Sequence, residues 1–308
     1  MKNTIIIALV VILLGIGGYF LLSKSSDTSY QEQNNSDQTV EDSNTNDQIV
    51  EDVNNQQEEM IVNKPLSIIG KSVEGRDIKA YHYGTGDTEL LFVGGIHGGY
   101  SWNTSLVAYQ LVDYLEKNPS IIPQNVKVTI VPALNPDGLY EVTGMDGEFT
   151  ASDVSASQKA SARFNENDVD LNRNFACNWQ SAAKWQSKDV SGGSSAFSEP
   201  ESAAIKNYVD GASPDAVVVW YASAGGVFSS SCNNGVSQET AAITNVFADA
   251  SGYKAYEEFD AYEITGDMVN WLASEGIPGI SVLLFDHQST EWSKNRAGIE
   301  ALINYYSN

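Results

Sequence analysis

Beyond residue 65, apolar and polar positions switch repeatedly between two spacings, and each switch marks an element. Leu90-Leu-Phe-Val-Gly-Gly-Ile96 is a continuous apolar run, the pattern of a strand buried on both faces. Residues 126–132, 216–221 and 279–285 predict three further strands. Residues 67–72 and 77–83, joined through Glu74 and Gly75, predict a hairpin. Helical spacing appears over 105–117, where Leu106, Tyr109, Leu111 and Leu115 recur on one side, and again over 238–250, 265–274 and 291–306. Ser198 and Glu201 have the spacing of a capping box, predicting a helix to about Val209. Residues 135–197 are polar and irregular, and a loop of that length inside a compact domain points to function. Strands alternating with helices imply an α/β domain with a mixed, mainly parallel central sheet flanked by helices. Ligands of such sheets bind beyond the carboxyl ends of the strands, where His97, Ala222 and Asp286 fall.

The N-terminal part reads differently. Residues 4–22 are almost unbroken apolar sequence between Lys2 and Lys24, about the length needed to cross a bilayer core of roughly 30 Å as a helix. A cleaved signal peptide is the alternative, but it ordinarily has a shorter apolar core and a small-x-small cleavage site. Residues 23–62 set ten acidic residues against Lys24, a composition that cannot bury enough apolar surface to order itself. The expected organisation is a membrane anchor over 1–22, a disordered acidic linker over 23–62 and a folded domain over 63–308. The domain is expected on the extracytoplasmic side of a single-pass membrane protein, or secreted if the leader is cleaved.

The formal net charge of −23 argues against nucleic acid as a partner, because phosphate binding needs basic patches. The two cysteines are Cys177 and Cys232. Outside the cytoplasm a disulfide is the natural reading, with two free buried thiols as the alternative.

The most specific signal is Asp168-Val-Asp-Leu-Asn-Arg-Asn-Phe175. It resembles the substrate-binding signature of the zinc carboxypeptidases, the carboxypeptidase A-like metallopeptidases. Gly94-Gly-Ile-His97, Asn135-Pro-Asp-Gly138, Ser198-Glu-Pro-Glu201, Tyr262-Glu-Ile-Thr-Gly-Asp267 and Gly276-Ile-Pro278 follow in the family's order. The resemblance implies that Asn172 and Arg173 bind the carboxylate of a peptide C-terminus or a peptidoglycan stem peptide. It also implies that Arg163 polarises the scissile carbonyl and that Tyr262 closes over the ligand. His97 matches a zinc ligand, and Asp170 the residue that orients it.

The chain departs from the family where the chemistry lies. A catalytic zinc needs three protein ligands and an open position for water. The family's Glu three residues after the first His falls on Tyr100, or on Ser101 with a one-residue shift. Its second His falls on Ala222 and its catalytic Glu on Leu283. Zinc, the family's cofactor, is therefore not expected here, and the chain reads as a catalytically inactive relative that keeps its recognition side. Two other arrangements are compatible with the residues. One is an active metallocarboxypeptidase using His97, His287 and a loop carboxylate. The other is a serine hydrolase built on Ser223, Asp260 and His287, in which Tyr221 stands where a nucleophile elbow needs glycine.

Overall fold

The computed structural model describes residues 66–307. The anchor expected over 1–22 and the linker expected over 23–62 lie outside the described residues. Among the described residues no helix is long and apolar enough to cross a membrane.

Eight strands form one sheet in the order β1-β2-β4-β3-β7-β10-β8-β9. They are β1 (Leu66–Lys71), β2 (Asp77–Tyr83), β3 (Thr88–Val93), β4 (Val126–Val131), β7 (Ala216–Ala222), β8 (Gly226–Ser229), β9 (Ala255–Tyr256) and β10 (Gly279–Leu284). A separate small hairpin pairs β5 (Ala182–Trp185) with β6 (Lys188–Ser191). The central β4, β3, β7 and β10 run parallel, while β1, β2 and β8 pair antiparallel. The mixed sheet expected from the strand–helix alternation is present, and so is the β1–β2 hairpin.

Alternation along the strands divides the interior into two layers. Leu90, Phe92, Val218, Trp220, Ile280 and Val282 face one side. They pack against α1 (Trp102–Lys117), α4 (Gln238–Ser251) and α6 (Trp292–Tyr305), through residues such as Val107, Leu111, Phe247, Ile299 and Leu302. Leu91, Val93, Val217, Val219 and Leu283 face the other side. There they meet α3 (Pro200–Ala212) and α5 (Met268–Ser274) through Ile205, Val209, Met268 and Leu272. Sandwiching a largely parallel sheet between helices explains why its central strands read as unbroken apolar runs.

The 135–197 stretch is less irregular than its composition implies. It holds α2 (Pro136–Thr143), the β5–β6 hairpin and several short 3₁₀ turns. Asn135 caps α2 by accepting from Gly138 N at 2.9 Å, and Pro136 takes the first helical position, where its missing N–H costs nothing.

The capping box expected at Ser198 does not form. Glu199 is the N-cap of α3, and Ser198 Oγ donates to Glu199 Oε1 instead. Glu201 turns away from the helix to accept from Val73 N at 3.0 Å and Asn165 Nδ2 at 3.0 Å. The two glutamates are diverted because Asn165 offers them both a buried donor, the other bond being to Glu199 Oε2 at 2.8 Å. This clasp fixes the loop that carries Arg163 and Asp170.

Cys177 and Cys232 form a disulfide, with Cα atoms 6.1 Å apart.

Candidate functional site

Beyond the carboxyl ends of β3, β7 and β10 lies a cavity lined by His97, Tyr100, Arg163, Asn172, Arg173, Trp185, Tyr221, Ala222, Tyr262, Asp267, Leu283 and His287, among others. His97 starts a 3₁₀ turn over Gly98–Ser101. Gly98 has φ +44, and a Cβ there would stand 2.6 Å from Ala162 O, so only glycine lets this turn close on the Arg163 loop. Gly266, with φ +64, is constrained the same way, since a Cβ would lie 2.5 Å from Arg173 O.

Two short turns place the guanidinium groups. Arg163 is 2 % exposed and makes two contacts to Asp170 Oδ2, from Nε at 2.9 Å and from Nη2 at 2.9 Å. Its guanidinium also lies 4.3 Å from the centre of the Trp185 ring. Asp170 Oδ1 accepts from Asn172 N at 3.1 Å and stands 3.8 Å from His97 Nε2, beyond hydrogen-bond reach. Burial alone would raise the Asp170 pKa, but Arg163 and Arg173 outweigh it and hold the carboxyl at about 2. Asp170 therefore serves Arg163 before it serves His97, and Arg163 is held as one half of an ion pair.

Arg173 donates from Nε to Lys184 O at 2.9 Å and from Nη1 to Asn172 O at 2.5 Å. Both partners are neutral carbonyls, so its charge is oriented without being neutralised. Asn172 Oδ1 accepts from Tyr221 Oη at 3.1 Å and Met268 N at 3.1 Å, so half of its amide is committed to the fold. Tyr262 is half-buried against Phe259, ring centres 5.1 Å apart, at the edge of the cavity.

His97 is 5 % exposed, and neither ring nitrogen has a hydrogen-bond partner among the described residues. Burial, followed by the charge of Arg163, holds its pKa well below the ordinary value, so the ring is neutral at pH 7. Tyr100 lines the cavity with it, its ring edge-on to Trp185 and His287 at 5.0 and 4.8 Å. Ser101 is fully buried and its Oγ meets His287 Nδ1 at 3.2 Å. Of the two candidates for the missing glutamate position, Tyr100 faces the site.

On β7 the strand period decides a second choice. Tyr221 pairs in register with Leu283 of β10 and shares its face of the sheet, whereas Ala222 packs with the opposite layer. The Tyr221 ring lies 5.6 Å from the His97 ring. Ala222 also borders the cavity, but Tyr221 is the β7 side chain that confronts His97.

The donors present do not suit zinc. Among the described residues no three His, Cys, Asp or Glu side chains converge on one point. His287 is turned to Ser101, and the Asp170 carboxylate is taken up by Arg163. The serine arrangement is not assembled either. Asp260 is exposed, and Asp286 spends its carboxylate on Gln288 N and Ser289 N at 2.8 and 2.7 Å.

One cavity residue carries chemistry that the family signature does not announce. Asp267 caps α5, yet it is 4 % exposed and its Oδ1 has no hydrogen-bond partner among the described residues. Burial raises its pKa to about 6 despite the nearby Arg173. In sequence it ends the Tyr262–Asp267 string, to which the resemblance gave a role only at Tyr262, and it stands before an apolar helical run, a signal that speaks of capping rather than binding.

The zinc carboxypeptidase family model matches residues 52–300. Rat carboxypeptidase Z is 32 % identical over 120 residues, which cover 35 % of this chain and 17 % of that protein. The match thus spans about a sixth of the curated relative. Among solved structures, the murein-tripeptide amidase MpaA from Escherichia coli O157 aligns with TM-score 0.56 at 20 % identity, covering 80 % of this chain and 93 % of its own. Bovine thrombin-activatable fibrinolysis inhibitor, solved with a tick carboxypeptidase inhibitor, aligns with TM-score 0.60 at 16 % identity, covering 84 % and 94 %. At those identities the structures speak for the fold, and the family model for descent. With half or more of its residues matched, the chain belongs to the zinc carboxypeptidase family.

Proposed function

We propose that this domain binds peptide C-termini without hydrolysing them, tethered on the extracytoplasmic face of a membrane by its N-terminal segment. The observation that carries the reading is the company kept by His97. Tyr221 stands against it, Tyr100 and Leu283 line the same cavity, and none of the three supplies a metal ligand of the family's type or a proton acceptor. The one carboxylate nearby among the described residues, Asp170 at 3.8 Å, is paired with Arg163. The recognition side stays charged: Arg173 is buried, oriented by two carbonyls and not bonded to a carboxylate among the described residues. A guanidinium held in that way is a site for a carboxylate, through charge-assisted hydrogen bonds.

Peptidoglycan stem peptides are one source of such ends, supported by the fold shared with a murein-tripeptide amidase. Calorimetry with the purified full chain tests the reading. Free-acid peptides should bind and their C-terminal amides should bind at least tenfold more weakly. Zinc-loaded protein that releases C-terminal amino acids would overturn it in favour of an active metallocarboxypeptidase.

A further inference from the structure

Under α3, side chains from four neighbouring strands join in one hydrogen-bonded row. The strands β1, β2, β4 and β3 lie side by side in that order, and they contribute Ser67, His82, Thr129 and Glu89 in turn. Ser67 Oγ stands 2.8 Å from His82 Nε2. His82 Nδ1 stands 3.1 Å from Oγ1 of Thr129, its cross-strand neighbour. Thr129 donates its hydroxyl to Glu89 Oε1 at 2.6 Å. Glu89 is buried, accepts from Tyr208 Oη at 2.5 Å, and meets Lys127 Nζ 2.6 Å from Oε2. None of the four lines the cavity beyond the strand ends.

The direction of the row follows from its partners. Thr129 spends its one hydrogen on Glu89, so toward His82 it can only accept, and the ring proton sits on Nδ1. That leaves Nε2 as an acceptor and the Ser67 hydroxyl as its donor. Burial holds the His82 pKa below its ordinary value against the pull of Glu89, so the ring is neutral at pH 7. A hydroxyl bonded to a base that a third group orients is the arrangement of an activated nucleophile. A second serine–histidine contact, Ser101 with His287 at 3.2 Å, is closed off because Ser101 is fully buried. Ser67 is half-buried, on the strand at the edge of the sheet.

We propose that Ser67 accepts acyl groups from small activated esters, with His82 as its base. Ser67 Oγ bonds to the carbonyl carbon of the ester as its proton passes to His82 Nε2. The bond from that carbon to the alcohol oxygen breaks, the proton returns from His82 to the departing oxygen, and an ester remains on Ser67. Because Ser67 stands on a strand edge rather than in the cavity, the donor is one whose own leaving group departs readily.

Reaction of the full chain with p-nitrophenyl acetate at pH 7.5 tests this. Peptide mass mapping should find acetyl on Ser67, or nitrophenolate release should depend on Ser67, and Ser67→Ala should abolish whichever is seen. His82→Gln, its fold checked by circular dichroism, should react at least tenfold more slowly. Thr129→Val should slow the reaction and Thr129→Ser should not, since serine keeps the hydroxyl; equal rates in those two would overturn the part given to Thr129. Absence of both acetyl on Ser67 and Ser67-dependent release would overturn the inference, and so would a rate that His82→Gln leaves unchanged. Should His82→Gln fail to fold, the native chain decides. Ser67 should then be acetylated at least tenfold ahead of the exposed Ser194, and equal modification of the two overturns the inference.

Discussion

Arg163 and Asp170 are buried together, with two guanidinium nitrogens on a single carboxylate oxygen, and only the other oxygen is left facing His97 at 3.8 Å. The pair binds the turn before the Asp-Leu-Asn-Arg segment to the turn within it. Removing one partner would strand the other charge in a dry interior, which costs about 3–5 kcal/mol. Asp170→Asn should therefore lower stability by that order in urea unfolding. Asp170→Leu with Arg163→Met should lose less than Asp170→Asn alone, because no charge remains uncompensated.

Asp267 gives stability a pH dependence of unusual sign. Its folded-state pKa is raised to about 6, so between pH 4 and 6 the folded chain holds a proton that the unfolded chain has released. Stability contributed by this group is thus greatest at low pH and declines as pH rises through that window, by about 3 kcal/mol. Asp170, held at about 2, acts in the opposite direction and loses its contribution only below pH 4. Comparing native protein with Asp267→Asn by thermal melts from pH 4 to 7 should isolate the Asp267 component, with the variant flatter across the window.

The disulfide closes a loop of 55 residues and joins two walls of the cavity. Cys177 O accepts from Gly266 N at 2.8 Å, and Ser231, next to Cys232, donates its backbone N–H to Asn270 Oδ1 at 3.0 Å. Reduction should lower unfolding free energy by about 4 kcal/mol on the chain-entropy account. It should also weaken peptide binding, since the Arg173 turn and the Asp267 helix are both connected to the bridge. Melting with and without a phosphine reductant, followed by calorimetry, checks the two effects.

Positions for an engineered metal centre follow from which side chains face His97. Tyr100→Glu with Tyr221→His should bind zinc measurably, whereas Ser101→Glu should chiefly destabilise, because Ser101 is fully buried against His287. Adding Leu283→Glu to the first pair supplies a proton acceptor on the facing strand. Zinc content after dialysis, compared between Tyr221→His and Ala222→His backgrounds, decides which β7 residue holds the ligand place.

Much of the architecture was legible because burial on both sides of a parallel sheet leaves continuous apolar runs. The runs at 90–96, 216–221 and 279–285 locate β3, β7 and β10, and with them the end of the sheet where the cavity lies. The short strands β5, β6, β8 and β9 were not visible. At two to four residues they carry no usable period and owe their pairing to neighbours brought in by the tertiary fold. The residues named from the signature, including His97, Arg163, Asn172, Arg173 and Tyr262, do line one cavity. What the signature could not convey is which of them are already occupied: Arg163 by Asp170, and the Asn172 oxygen by Tyr221 and Met268. Hydrogen bonds between residues 49 and 96 positions apart leave no local trace in sequence.

Tyr221 and Leu283 stand side by side at the mouths of adjacent strands, an aromatic ring and a branched alkyl group where a working peptidase keeps ionisable groups. Reactive centres hold mutually repelling, poorly solvated groups together, and folds that carry them give up robustness to do so. Apolar side chains at such positions permit tighter, more heat-resistant packing. Placing ionisable groups at these two positions should accordingly make this chain melt earlier, and the fall in melting temperature would measure what such a centre demands of the fold.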